Sequence, residues 1–240
     1  MNHAFALGAI AAARPPAAIN ATPSLLLHLD GANGSTSMTD SGPNGLTVTA
    51  FGNAQLSTAS PKFGTAALLL DGSGDYLRVP YHPGLHLSTG DFTIDMWVNL
   101  GSAGGQETPI LSLATTSFTY AWNLFRHSGG YIRFAAYNES GSLIGFVVQS
   151  TGTIGDNTWR HIAVTRSGNT FRLFTDGVLR NSATSSDAIR PSASGPSYQL
   201  TLGAYPSGAG GFNGQIDEVR IVDGTAVWVS DFTPPAAPYP

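Results

Sequence analysis

The stretch that decides the fold is Asp91-Phe92-Thr93-Ile94-Asp95-Met96-Trp97-Val98. Every second residue from Phe92 to Val98 is apolar, and most of the residues between them are polar. Because successive side chains of a β-strand point to opposite faces, this alternation predicts a strand with one face on a core. The other face carries Asp91, Thr93, Asp95 and Trp97, and we expect it to lie outside that core.

Short segments of strand character, separated by turns rich in Gly, Ser and Asn, continue on both sides of this stretch. Sustained helical periodicity is missing from the whole sequence. So many short strands predict an all-β fold of two stacked antiparallel sheets. The further predicted strands are residues 24–30, 46–51, 66–70, 76–79, 110–113, 120–125, 131–137, 143–149, 159–165, 170–175, 178–180, 200–204 and 211–221.

The last predicted strand contains a break in its alternation. Ile216 has the opposite parity to Val219 and Ile221, so the three cannot share one face of a regular strand. One extra residue at Asp217–Glu218 restores the register, which predicts a β-bulge there. Since a bulge redirects side chains, Asp217 becomes a candidate site residue.

The composition excludes several classes of function. The chain has 240 residues, a formal net charge of −4 and 11 % charged residues, with Lys62 as its single lysine. Nucleic-acid binding requires clustered Lys and Arg, and we expect no nucleic-acid partner. A run of about 18 apolar residues is missing, so we expect no membrane-spanning helix. The lack of cysteine excludes disulfides, thiolate metal ligands and a Cys nucleophile.

Several segments, in order, resemble one family, the laminin-G-like jelly rolls of the concanavalin A-like lectin/glucanase superfamily. The resemblance covers residues 24–235, and each segment matches a characteristic block of that family. These segments are residues 63–77, 91–98, 159–166, 173–177, 214–221 and 231–235. The closing Asp231-Phe232-Thr233-Pro234-Pro235 is similar to copies found in bacteriophage structural proteins.

The resemblance implies a two-sheet antiparallel jelly-roll β-sandwich over residues 24–240. Family members mostly bind glycans or proteins, often near calcium, and some relatives are glycanases. Residues 1–23 precede the domain and are small, apolar and proline-containing. We expect them to form an extended arm that docks on a neighbouring subunit or packs back on its own domain.

The acidic residues do not favour a glycanase. A glycanase of this kind needs two carboxyl groups flanking the sugar bond, which relatives place two residues apart on one strand. The three glutamates here, Glu107, Glu139 and Glu218, lie in separate segments without such a partner, and Thr93 separates Asp91 from Asp95. The sequence therefore predicts a protein without catalytic residues.

Asp30 and Asp217 form a candidate calcium site. Calcium prefers several oxygen ligands, including carboxylates. Asp30 ends the first predicted strand, Asp217 lies in the predicted bulge, and the first and last strands are commonly neighbours in this family. The alternative is structural: Asp30 caps a turn, and Asp217 accepts backbone N–H groups at the bulge. The same alternative applies to Asp71, Asp75 and Asp176, which lie in Asp–Gly-type turns.

Two tyrosines and two asparagines near loops are candidate glycan contacts: Tyr137, Tyr205, Asn138 and Asn213. Their neighbours are polar or favour turns. By contrast, Phe118, Tyr120 and Trp122 share one parity and, like Trp159, are predicted to pack in the core.

These observations predict a non-enzymatic structural or adhesive protein. The preferred setting is a bacteriophage virion, as a capsid decoration or tail-associated protein on the virion surface. Residues 1–23 would then contact other virion proteins, and the sandwich, alone or as a homo-oligomer, would contact host glycans. The alternative is a secreted or cell-surface carbohydrate-binding module, and a glycanase is the third reading.

Overall fold

The computed structural model describes residues 17–101, 107–149, 154, 157–190 and 197–240. Two short 3₁₀ helices span Ala17–Asn20 and Pro83–Leu85. The strands are β1 (Leu25–Leu27), β2 (Thr49–Phe51), β3 (Gln55–Ser57), β4 (Ala67–Asp71), β5 (Tyr76–Pro80), β6 (Phe92–Leu100), β7 (Thr108–Thr115), β8 (Tyr120–Arg126), β9 (Ile132–Tyr137), β10 (Leu143–Gln149), β11 (Trp159–Ser167), β12 (Thr170–Thr175), β13 (Val178–Thr184), β14 (Tyr198–Leu202) and β15 (Asn213–Asp223).

Within the described residues these strands form two antiparallel sheets. Sheet A has eight strands in the order β13-β12-β11-β6-β15-β4-β3, with β1 paired to β15 as well. Sheet B has seven strands in the order β10-β9-β8-β7-β14-β5-β2. The predicted all-β jelly-roll sandwich is confirmed, as is the pairing of the first and last strands. Strand β3 was not predicted, because its three residues show too little alternation.

The core lies between the inner faces of the two sheets. On β6 the residues from Phe92 to Val98 with even numbers are fully buried in it, as their alternation predicts. Strands β8 and β14 contribute Trp122, Leu200 and Leu202 from the opposite sheet. Burial of this apolar surface is the main favourable term in folding.

The predicted bulge in β15 is present. Asp217 pairs with Trp97 and Arg220 with Asp95, so β15 has one residue more than β6 over this interval. Glu218 carries the irregularity, with a φ of 51° in the left-handed region. The bulge lies where the other neighbour of β15 changes from β4 to β1. Ile216, Val219 and Ile221 consequently all face the core, although their parity differs.

The C-terminal segment, residues 225–240, covers the outer face of sheet A. The Thr93 hydroxyl donates to the carbonyl of Thr225 at 2.8 Å and accepts the N–H of Val227 at 2.8 Å. The Thr165 hydroxyl donates to the carbonyl of Trp228 at 2.9 Å. The Trp228 ring then stacks on Phe232 with centroids 4.0 Å apart. The polar outer face of this sheet is therefore buried by the chain's own end.

A buried ion pair lies beneath this cover. The Arg220 guanidinium donates from Nε and Nη2 to the two carboxylate oxygens of Asp95, both at 3.0 Å. Its Nη1 donates to the carbonyl of Ile19 at 2.6 Å, and its guanidinium lies 4.1 Å from the Tyr239 ring centroid. The Tyr239 hydroxyl donates to the same Asp95 carboxylate. Both terminal segments thus meet at one ion pair.

The charges of the pair stabilise each other against burial. Burial acts to raise the pKa of Asp95, but the Arg220 charge and the hydrogen bonds from His161 and Arg220 outweigh burial and hold that pKa below its usual value. Burial likewise acts to lower the pKa of Arg220, and the Asp95 carboxylate raises it instead. Both groups therefore remain ionised in the folded protein.

The predicted N-terminal arm is described only in part. Residues 1–16 lie outside the described residues, so a docking role for them stays a prediction. Ile19 packs beside Trp228 and Val227 and binds Arg220 through its carbonyl. The end of the predicted arm is thus in contact with sheet A of its own domain.

We predict that Arg220→Met lowers the free energy of unfolding by about 3–5 kcal/mol, because it leaves Asp95 buried without its cation. The double variant with Arg220→Met and Asp95→Leu should recover a large part of the lost stability, since two apolar side chains leave no buried charge without a partner. Urea unfolding measures both values. Arg172→Met removes a partly exposed arginine of sheet A and serves as the control. Equal effects of Arg220→Met and Arg172→Met would contradict the prediction.

Candidate functional site

A bulge in β8 turns Tyr120 away from the core. Leu113 of β7 pairs with Trp122, and the next residue, Ala114, pairs with Tyr120, which leaves Ala121 as an extra residue. Trp122 is fully buried in the core, as predicted, whereas Tyr120 is partly exposed on the outer face of sheet B. The prediction that Tyr120 packs in the core is wrong. The bulge turns Tyr120 to the face opposite that of Trp122, and the apolar alternation of the sequence does not reveal it.

Three aromatic rings gather around Tyr120 on this outer face. The ring centroid of Tyr120 lies 6.0 Å from that of Tyr137, 5.7 Å from that of Tyr205 and 6.3 Å from that of Phe118. Phe118 and Tyr205 are themselves 6.5 Å apart. We call these four side chains the tyrosine cluster. Two of the four predicted glycan contacts, Tyr137 and Tyr205, belong to it, one on each side of Tyr120.

Phe118 is the most exposed member of the tyrosine cluster. It lies in the turn between β7 and β8, and 49 % of its surface is accessible, so the prediction that it packs in the core is wrong. Its φ of 60° is in the left-handed region, which costs about 1–2 kcal/mol for a residue other than glycine. A strained backbone that holds an aromatic ring in solvent is a feature of binding sites.

A glycine-rich loop brings Tyr205 to the cluster. Residues 203–212 leave β14 and fold back, with the N–H of Phe212 donating to the carbonyl of Gly203 at 2.7 Å. Within this loop the Tyr205 carbonyl accepts the N–H of Gly208 at 2.8 Å. Gly208 has a φ of 81°, which favours glycine there. The tight turn places the Tyr205 ring against Tyr120 of β8.

Charged groups surround the aromatic rings. The Glu107 carboxylate, 47 % exposed, lies 3.6 Å from Nε2 of His127 and 3.9 Å from Nη1 of Arg133. The Arg190 guanidinium lies 5.7 Å from the Tyr137 ring centroid, and its Nε donates to the Tyr120 carbonyl at 2.6 Å. Exposed ion pairs contribute little to stability, so these groups can exchange partners with a ligand at small cost.

The three tyrosine hydroxyls keep their protons. Burial raises the pKa of Tyr120 and Tyr137, and it raises that of Tyr205 to about 12. The negative charge of Glu107 acts in the same direction on all three, and Arg190 opposes it only at Tyr137. The cluster therefore presents neutral hydroxyls that donate and accept hydrogen bonds.

The family of the chain follows from its sequence match to a family model. Residues 71–227 match the family model described as the concanavalin A-like lectin/glucanases superfamily. The chain belongs to this superfamily. No curated protein matches it significantly. The match extends from the end of β4 to the start of the C-terminal segment, so it includes every residue of the tyrosine cluster.

Solved structures of similar fold agree with this superfamily. The binding domain of Paraclostridial Mosquitocidal Protein 1 superposes with a TM-score of 0.65 at 15 % identity, over 86 % of this chain and 50 % of that chain. The Botulinum neurotoxin serotype D ligand binding domain in complex with N-acetylneuraminic acid gives 0.64 at 17 %, over 88 % and 50 %. Domain 4 of AbnA, a GH43 extracellular arabinanase from Geobacillus stearothermophilus, in complex with arabinotriose, gives 0.61 at 20 %, over 85 % and 94 %.

These likenesses establish the fold. The chain spans about half the length of the toxin binding domains and nearly all of the arabinanase domain. In the part of this chain that the structure describes, no helix is long and apolar enough to cross a membrane.

The two asparagines that were predicted to contact a glycan lie in different parts of the fold. Asn138 closes the turn after β9: its side-chain carbonyl accepts the Ser142 N–H at 2.9 Å, and its amide donates to Asp187 at 3.2 Å. Asn138 directly follows Tyr137 and so borders the tyrosine cluster. Asn213 begins β15 in sheet A, where its carbonyl accepts the Gly101 N–H at 2.9 Å.

The two predicted calcium ligands both bind one loop through backbone N–H groups. Asp217 accepts from Lys62 at 2.8 Å and from Phe63 at 3.1 Å, and Asp30 accepts from Thr65 and, at 3.2 Å, from Ala66. This is the structural arrangement that the sequence left open. In the described part of the chain, no group of three or more His, Asp or Glu side chains is arranged to hold a metal ion. Calcium binding by Asp30 and Asp217 stays a prediction.

Asp217 gives stability a specific dependence on pH. Burial raises its pKa to about 7, although the Phe63 and Lys62 N–H groups act to lower it. Its second carboxylate oxygen is buried and has no hydrogen-bond partner among the residues that the structure describes. The pKa in the unfolded chain is about 3.9. Since the folded value is the higher one, ionisation of Asp217 lowers stability progressively as pH rises from about 4 to about 7.

We predict that Asp217→Asn gains stability relative to the original protein as pH rises through this interval, because asparagine does not ionise. Urea unfolding at about pH 5 and about pH 8 measures the change. Asp187→Asn, at an exposed carboxylate, is the control. Parallel pH profiles for Asp217→Asn and the original protein would show that burial does not hold this carboxyl group neutral.

The sequence did not identify several side chains of the candidate site. Tyr120 and Phe118 were assigned to the core, and Arg190 was not considered. Trp159 was also assigned to the core, but it lies on the outer face of sheet A, where its Nε1 donates to the Ser60 carbonyl at 3.1 Å. Its parity with the polar His161 on the same strand could have revealed that face.

Proposed function

We propose that the protein binds carbohydrate through the tyrosine cluster on the outer face of sheet B. The observation that carries the proposal is the gathering of Phe118, Tyr120, Tyr137 and Tyr205 outside the core, with ring centroids 5.7–6.5 Å apart. Sheet strands hold two of these rings, and a turn and a tight loop hold the others. The surface is therefore largely formed before a ligand arrives.

The chemistry of the cluster suits a sugar. A sugar ring has an apolar face of C–H groups and a rim of hydroxyls. Aromatic side chains offer large rigid surfaces for the first, and tyrosine hydroxyls offer hydrogen bonds for the second. Glu107 and Arg190 beside the rings add a strong acceptor and a planar donor. Similar folds solved with N-acetylneuraminic acid and with arabinotriose support this ligand class.

We further propose that binding occurs without catalysis. Glycoside hydrolysis requires two carboxyl groups about 5–9.5 Å apart, one of them protonated. Asp95 is engaged by Arg220, and Glu218 accepts from His28 at 2.9 Å and from the Tyr239 N–H at 2.9 Å. The Glu107 carboxylate is engaged by His127 at 3.6 Å and by Arg133 at 3.9 Å.

A glycan array with the intact protein tests the proposal. We expect binding to at least one glycan, and Tyr205→Ala or Tyr120→Ala should weaken it at least tenfold, about 1.4 kcal/mol, by removing a stacking surface. Tyr205→Phe should retain most of the affinity, because the ring remains.

Trp159→Ala is the matched control, since it removes a partly exposed aromatic side chain from the opposite sheet. Carbohydrate binding that is lost in Trp159→Ala and kept in Tyr205→Ala would place the site elsewhere. Absence of binding across the array would refute the proposed function.

The setting on a virion surface stays a proposal of its own. It rests on the apolar N-terminal segment, the low content of charged residues and the closing segment at residues 231–235. Because Ile19 binds Arg220, deletion of residues 1–23 would disturb sheet A as well as the arm. Deletion of residues 1–16 separates the two effects.

We expect the 1–16 deletion to keep the unfolding midpoint and to abolish incorporation into particles, as measured by mass spectrometry of purified virions. Normal incorporation of the deleted protein would contradict docking through this segment. In that case the alternative, a secreted or cell-surface carbohydrate-binding module, is favoured.

A further inference from the structure

A second aromatic group lies at the opposite edge of sheet B. The rings of Phe51 on β2 and Tyr76 on β5 stack with centroids 4.6 Å apart and planes 3° from parallel. The Arg78 guanidinium lies 4.3 Å from the Phe51 centroid. All three side chains are partly exposed. We call them the Phe51 stack.

The Phe51 stack shares the outer face of sheet B with the tyrosine cluster. On β5 the alternate residues Leu77 and Val79 are fully buried in the core, so Tyr76 and Arg78 point outward. Strands β14 and β7 separate β5 from β8, which carries Tyr120. Three strand spacings separate β5 from β8 by about 14 Å across the sheet. Tyr120 is also in register with Pro80, four residues from Tyr76 along β5, so the two aromatic groups are farther apart than one or two sugar rings extend.

The glycine-rich loop connects the two groups. Its Tyr205 ring contacts Tyr120 in the cluster, and its Gly208 lies beside the Phe51 stack. A Cβ added to Gly208 would be 3.5 Å from Cε1 of Tyr76. The loop that carries Tyr205 therefore also borders the Phe51 stack, and only small residues follow Pro206 up to Gly211.

A hydroxyl-lined pocket adjoins the Phe51 stack. It has a volume of about 450 Å³. Strand β2 is the last strand of sheet B, so its outer edge also presents backbone N–H and C=O groups. The aromatic rings of the Phe51 stack offer a surface for the apolar face of a sugar. The neighbouring hydroxyls and backbone groups offer hydrogen bonds to its hydroxyls. The lining residues are Thr36, Ser37, Val48, Thr49, Ala50 and Gly52.

We propose that Phe51, Tyr76 and Arg78 form a second carbohydrate subsite, and that the protein binds an extended polysaccharide chain across sheet B. The inference rests on the proposed function, because the tyrosine cluster supplies the first subsite. It adds the class of ligand: a linear chain long enough to reach from Tyr120 to Tyr76. Occupation of both subsites by one chain makes the second contact intramolecular, so affinity should rise with chain length.

Length series of arabino-oligosaccharides and cello-oligosaccharides, together with the array glycans, test this subsite by isothermal titration. We expect chains of about six sugars to bind at least tenfold more tightly than chains of about two. Phe51→Ala should remove this gain and leave the binding of short chains unchanged. Tyr205→Ala should weaken short and long chains alike.

An aromatic cross-strand pair also stabilises the pairing of β2 with β5, so folding needs its own control. Unchanged short-chain binding by Phe51→Ala shows that the domain is intact. Tyr76→Phe keeps the stacked ring and should keep the length dependence. Should Phe51→Ala fail to fold, Arg78→Gln provides the second variant, and it too should reduce only long-chain affinity.

The outcomes separate the two proposals. Binding that does not depend on length, or that keeps its length dependence in Phe51→Ala and Arg78→Gln, overturns the second subsite and leaves the tyrosine cluster as the carbohydrate site. Absence of binding to both series and to the array overturns both proposals. Length-dependent binding that is lost in the Phe51 stack variants, with short chains unaffected, establishes the extended site.

Discussion

The buried pair of Asp95 and Arg220 is the interaction on which the arrangement of the chain ends depends. An ion pair away from water is favourable only when its hydrogen bonds are satisfied, and here the carboxylate also accepts from Tyr239 while the guanidinium also donates to the Ile19 carbonyl. The pair and its two further partners come from four separate parts of the chain. The pair therefore fixes where the N-terminal segment and the C-terminal segment meet sheet A.

Because the terminal segments meet sheet A, the outer faces of the two sheets differ. The C-terminal segment covers the polar residues of sheet A, and Trp228 and Phe232 pack over them. The outer face of sheet B instead carries two groups of partly exposed aromatic side chains, with Tyr120 on β8 in one and Tyr76 on β5 in the other. The termini cover the centre of the outer face of sheet A. Under the proposed function, the outer face of sheet B is the binding face.

The sequence predicted the features that depend on local pattern. Strict alternation placed Asp95 and Thr93 on the outer side of β6, and the parity break at Asp217 located the bulge in β15. The bulge in β8 was not predictable, because Tyr120 and Trp122 are both apolar with the same parity. An extra residue between them leaves no visible break in the pattern, so the sequence assigned both rings to the core.

Contacts between distant parts of the chain were also beyond prediction. Arg220 and Tyr239 lie 125 and 144 residues from Asp95, and their meeting depends on the whole topology of sheet A. The gathering of Tyr137 and Tyr205 around Tyr120 also depends on the whole topology, because the three residues lie on β9, on the loop after β14 and on β8. Composition and turn signals identified two members of the site, and only the fold could show that they are neighbours.

The central claim is that sheet B provides the binding face and sheet A is closed by the chain's own ends. The most direct measurement is an amide NMR titration of the intact protein with the tightest-binding oligosaccharide. The account predicts shifts in β8, β9 and the loop at residues 203–212, with β11 and the segment at residues 225–240 unchanged. Shifts concentrated in β11 and residues 225–240, with β8 and that loop unaffected, would contradict it.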